Sequence, residues 1–178
     1  LITNEYGYKT HRQNIIDGWS RSQFIFVKIA LVVILSVIAT IMVILTALII
    51  GMLGDRSFSW EESYYIFYFF IQALSYNSLA LLFSVLLKRT GLALGLFLAY
   101  AYFLENLIGN LLDWKIESKP GSYLPLNSTD NLIPFPFVKN VTKQIFREPN
   151  YTMLLIFAGV YLAFYLFFSI RKFRTDDL

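Results

Sequence analysis

Four apolar runs constrain this chain more than any other feature in it: Phe24–Leu53, Tyr64–Leu87, Leu92–Leu112 and Tyr151–Ile170. A helix needs about 20 apolar residues to cross a hydrocarbon core of about 30 Å, and each run is long enough. Lipid offers the backbone no hydrogen-bond partner, so such segments are helices and not isolated strands. Apolar content alone could describe a greasy soluble core, but uninterrupted length decides the matter. With 57% hydrophobic residues and a mean hydropathy of +0.57, the predicted fold is an all-α integral membrane protein with four transmembrane helices.

Orientation follows from lysine and arginine. Four crossings put both ends of the chain on one side, together with the Lys88-Arg89-Thr90 turn. That side carries nine basic residues against four acidic ones, and the other carries six against seven. Five of those six lie in one long loop, where the charge rule is weak. Both termini are therefore expected in the cytoplasm. The formal charge of +3 reflects this topology, and no basic run longer than the terminal Arg-Lys-Phe-Arg offers a nucleic-acid footprint.

The exclusions are as useful. Without cysteine there is no disulfide, thiolate nucleophile or sulfur-ligated metal. One histidine, His11, makes a zinc site untenable, and no phosphate-binding glycine loop is present. Gly18-Trp19-Ser20 begins like a nucleophile elbow but lacks the second glycine and a histidine partner. The chain is predicted not to be an enzyme, and no cofactor is expected on it.

Residues 1–23 read as a cytoplasmic segment. Ile15, Ile16 and Trp19 alternate with Arg12, Asn14 and Asp17 at helical spacing, as in a short amphipathic helix. Gly18 marks a break, and Ser20 is placed to cap the first span. Lys28, one turn inside that span, is expected to snorkel to the interface. Residues 113–150 form an external region with all five prolines, and Pro136–Arg147 has the pattern of a short helix at the outer leaflet. Residues 171–178 are a basic tail that stops the last span.

Polar residues inside the spans are the candidate pathway. Glu105 is the one carboxylate well inside a span, with Asn106, Gly109 and Asn110 nearby. Gln72, Ser75 and Tyr76 share a face of the second span. Intramembrane polar groups mark pathways or tie helices together, and both readings stand. Gly91, Gly95 and Ala99 form a small-residue stripe suited to close packing or a dimer seam.

The N-terminal segment carries a more specific pattern. Glu5, Thr10, Gly18, Ser20, Arg21 and Lys28 fall in the order and near the spacing of the loop that precedes the third span in permeases of type-2 ATP-binding-cassette (ABC) exporters, which the chain resembles. Lys9 stands where that family often has glycine. The resemblance implies a coupling helix, with Glu5, Thr10, Arg12, Gln13, Asn14, Asp17, Ser20 and Arg21 docking on a separate ATPase subunit that binds ATP and Mg. It implies a second permease copy or a related permease as partner and a bacterial inner membrane as location. It also implies two further spans before Leu1, six in the intact chain, and leaves the exported substrate open. Two other readings compete: a membrane scaffold or assembly subunit, and an ion-coupled carrier centred on Glu105.

Overall fold

A computed structural model describes residues 2–7, 18–53, 60, 62–116, 120–133 and 150–175. Four helices in it are long and apolar enough to cross a membrane: α2 (Arg21–Leu53), α3 (Tyr64–Leu87), α4 (Thr90–Lys115) and α6 (Tyr151–Thr175). Two short helices accompany them, α1 (Ile2–Gly7) and α5 (Asn127–Asp130). There is no strand among the described residues, and the chain is an all-α membrane protein. The third and fourth helices run past their apolar cores, to Lys115 and Thr175. The expected Pro136–Arg147 helix lies outside the described residues.

The start of α2 is built as the sequence requires. Gly18 takes a φ of +100°, a conformation that costs a side-chain-bearing residue dearly. Two residues on, Ser20 Oγ accepts the Gln23 N–H at 3.2 Å, and the Ser20 N–H donates to Gln23 Oε1 at 2.9 Å. This reciprocal capping box satisfies two otherwise orphaned donors. Replacing Ser20 with alanine should cost about 1 kcal/mol of stability, read as a lowered Tm in detergent, while Ser20→Asp should cost almost nothing. With 33 residues, α2 is about 50 Å long, which exceeds a perpendicular crossing.

α3 is the hub, packing against α1, α2, α4, α5 and α6. Small hydroxyl residues let the helices approach closely: Ser36 of α2, Ser75 and Ser78 of α3 and Ser169 of α6 are all fully buried. Asn77 Nδ2 donates to Ser36 Oγ at 3.0 Å across the α2–α3 seam. Two apolar clusters fill the bundle. Phe24, Ile25, Val32, Leu81, Val85 and Phe173 form the first, near the chain termini. The second joins Leu79, Leu82 and Tyr165 to Leu126, a residue outside all four long helices.

α3 ends abruptly at Lys88, whose φ of 55° lets its N–H close on the Ser84 carbonyl at 3.2 Å. Arg89 completes a two-residue link to α4. Within α4, Tyr100–Leu104 widens into a π turn, where the Glu105 N–H donates to the Tyr100 carbonyl. That turn sets the face of everything beyond it. Ala93, Phe97, Ala101, Glu105, Gly109 and Asp113 recur every four residues. In an unbroken α-helix such a stripe winds away by about 40° per step. The π turn absorbs one extra residue and brings Glu105 and Gly109 back towards the interior, where both are buried.

Candidate functional site

The region after α4 does not stay outside the bundle. Residues 120–133 turn back along α4 as a 3₁₀ turn (Pro120–Tyr123), a bend and then α5. Leu126 at the tip is 1% exposed and sits among Leu79, Leu82 and Tyr165. Leu79 lies 15 residues into α3, about 22 Å from its start at 1.5 Å per residue. The hairpin therefore reaches past the middle of that helix. The hairpin belongs to the expected external region with short helices over 113–150, of which residues 117–119 and 134–149 lie outside the described ones. A non-helical backbone at such depth is tolerated only where protein surrounds it, and α3, α4 and α6 do so.

Three carboxylates fasten the hairpin, Asp113 and Glu105 from α4 and Asp130 from the hairpin itself. Nearest the end of α4, Asp113 Oδ1 accepts the Gly121 N–H at 2.7 Å. One turn deeper, Gly109 meets Gly121 so closely that a Cβ on Gly121 would lie 2.6 Å from the Gly109 carbonyl oxygen. Deeper still, Glu105 Oε1 accepts the N–H groups of Leu126 and Asn127 at 2.6 and 2.7 Å, capping α5. On the α3 side Asp130 takes the remaining contacts, with Gln72 Nε2 donating to Oδ1 at 2.7 Å and the Tyr76 hydroxyl to Oδ2 at 2.8 Å. Asn127 Nδ2 closes the loop on the Gly121 carbonyl at 3.1 Å.

Glu105 is 1% exposed. Its carboxyl faces Tyr100, Tyr161 and Tyr165. By accepting two backbone N–H groups of the hairpin, Glu105 acts as a strut between α4 and α5. Among the described residues no group of acidic or histidine side chains could hold a metal ion.

The other charged end of the bundle is also tied together. The Lys28 ammonium pairs with Glu5 of α1 and sits 4.7 Å over the Phe24 ring. Asn4 Oδ1 accepts the Thr90 hydroxyl at 3.1 Å. Arg21 Nη1 donates to the Arg174 carbonyl at 3.2 Å, and Phe24 stacks on Phe173 with ring centres 5.0 Å apart. α1 thus bears on α2 and α4 while α2 is locked to α6.

The expected residues divide in an informative way. A family model matches residues 1–178, the whole chain, and its family is DUF2705, a protein of unknown function. The chain belongs to the DUF2705 family. No curated protein and no solved structure matches it. In this DUF2705 chain Gln72, Tyr76 and Glu105 converge on one structure, the hairpin. Ser75 is buried in the helix seam with no hydrogen bond. Asn106 and Asn110 are exposed and stand apart from Glu105, Asn106 donating to the Tyr102 carbonyl. Gly91 and Gly95 are exposed with open space where a Cβ would go, and Ala99 is half-buried. Thr10, Arg12, Gln13, Asn14 and Asp17 lie outside the described residues. Asp113, Gly121, Leu126 and Asp130 were not anticipated, because an acid or glycine in a polar loop reads as solvated.

Proposed function

We propose that this DUF2705 chain is the transmembrane permease subunit of a type-2 ABC exporter in a bacterial inner membrane, with both termini cytoplasmic. It works with a second permease copy and a separate ATPase subunit that hydrolyses ATP. The observation that carries this reading is the Glu5–Lys28 ion pair. Glu5 and Lys28 are the two ends of the exporter-like pattern, and their pairing ties α1 to the first long helix. A push from an ATPase at this end of the bundle reaches α2 through Lys28, α4 through Asn4–Thr90 and α6 through Arg21–Arg174. At the far end, the hairpin 120–133 serves as the outer gate. It swings when α3, α4 and α6 shift and the three carboxylates lose their partners.

Gentle purification followed by native mass spectrometry tests the partner. An ATPase subunit in equal stoichiometry is the expected result, and a complex without one overturns the reading in favour of a scaffold. Coupling is tested with a single cysteine at Ser128, which is fully buried in a chain that otherwise has none. In the intact complex, ATP with vanadate should raise maleimide labelling there at least severalfold. Lys28→Gln should leave the ATPase bound but abolish that rise, and an undiminished rise would remove Lys28 from the coupling route.

A further inference from the structure

An open groove of about 280 Å³ runs between α3 and α6 at the end that carries the termini. Leu82, Leu86, Phe164 and Phe168 wall it, and Arg171 and Lys172 stand at its rim. Leu86, Phe164 and Phe168 remain 40–48% exposed, so the bundle leaves this apolar strip unfilled. The positions along α6 order the groove by depth. The phenylalanines lie inside the uninterrupted apolar stretch of the helix, and the two cations directly follow it, one and two residues past Ile170 and before the buried Phe173. Thr175, also on the rim, already donates its hydroxyl to the Arg171 and Lys172 carbonyls. Arg171 and Lys172 supply the positive charge of the rim.

We propose that this groove binds an anionic phospholipid, with an acyl chain along Leu82, Leu86, Phe164 and Phe168 and the headgroup phosphate at Arg171 and Lys172. Charge decides the occupant. A zwitterionic lipid fits the apolar wall equally well, but its own cation offsets its phosphate, so a net negative headgroup gains more from two cations at the level where the hydrocarbon ends. A basic residue near the membrane surface favours an anionic lipid by about fivefold, so the pair should yield a preference of about thirtyfold. The site is independent of the exporter reading and stands or falls separately from it.

Delipidated full-length chain in detergent, titrated with phosphatidylglycerol or phosphatidylcholine and read by native mass spectrometry, tests the assignment. Wild type should retain one phosphatidylglycerol about thirtyfold more tightly than phosphatidylcholine. Arg171→Gln with Lys172→Gln should bring the two lipids within about threefold, and Arg171→Lys with Lys172→Arg should restore the preference. Leu86→Trp, which fills an exposed part of the groove, should lower occupancy by both lipids. Equal binding of the two lipids by wild type overturns the proposal. So does a preference that survives the glutamine pair. Unchanged lipid binding in Leu86→Trp, with inorganic phosphate displacing the lipid, would mean a headgroup contact alone and would also overturn it.

Discussion

Glu105→Ala should free the hairpin 120–133 from the bundle and lower stability by about 2–5 kcal/mol. The change strands two buried N–H groups, those of Leu126 and Asn127, and each costs about 1–3 kcal/mol when left unpaired. The alanine also leaves space beside Tyr100 and Tyr165. Thermal unfolding in detergent gives the size, and maleimide reaction with a Ser128→Cys reporter gives the location. The reporter should be protected with Glu105 present and modified readily without it. Glu105→Gln separates two explanations of the same residue. Its amide oxygen can still accept both bonds, at about half the strength of a carboxylate, so the hairpin should remain docked. Were glutamine as damaging to transport as alanine while the reporter stayed protected, the charge itself would be the working part. The ion-coupled carrier would then be the better account.

Gly121→Ala should be the most damaging glycine-to-alanine change among the described residues. A Cβ there would lie 2.6 Å from the Gly109 carbonyl oxygen and 2.8 Å from both the Gly109 Cα and Asp113 Oδ1. Two of those three atoms are backbone, which cannot swing aside as a long side chain can, so α4 and the hairpin must separate. Overpacking of this kind costs about 1–3 kcal/mol, and the loss of the Gly121–Asp113 bond adds about 1 kcal/mol. The expected phenotype is a markedly lower Tm with the Ser128→Cys reporter exposed. Gly95→Ala is the matched control. Nothing lies within 4 Å of its would-be Cβ, and alanine should stabilise the helix by up to about 1 kcal/mol. A loss at Gly95 instead would mean that a second copy packs on that face.

Much of this architecture is legible in the residues. Length and hydropathy suffice for the four long helices, because a run of 20 apolar residues has few alternatives in water or lipid. The break at Gly18 and the cap at Ser20 are equally readable, since both depend on local backbone chemistry. Glu105 stands out as an acid in an apolar helix, and Gln72 and Tyr76 as a polar face, but the group they bind does not. Asp130 belongs to Asn-Ser-Thr-Asp, a stretch whose composition is that of a solvated turn, and nothing local shows that its neighbours 50 to 60 residues away need an acceptor. The π turn at Tyr100–Leu104 is hidden for a related reason. It exists because a four-residue stripe must stay on one face, and that demand comes from the packed bundle. Lys28 illustrates the limit from the other side: snorkelling is the sound expectation for a lone lysine, and only folding brings Glu5 to it.

The hairpin also dictates an order of assembly. Its polar backbone is shielded by α6 as well as by α3 and α4, yet α6 follows it in the chain. While α2, α3 and α4 are inserting, residues 120–133 have no complete wall to enter and must wait in water. Only when Tyr151–Thr175 has crossed can Leu126 reach Leu79, Leu82 and Tyr165. Tyr151–Thr175 therefore completes the niche that the preceding loop occupies, and without it the inserted chain would be left unsealed.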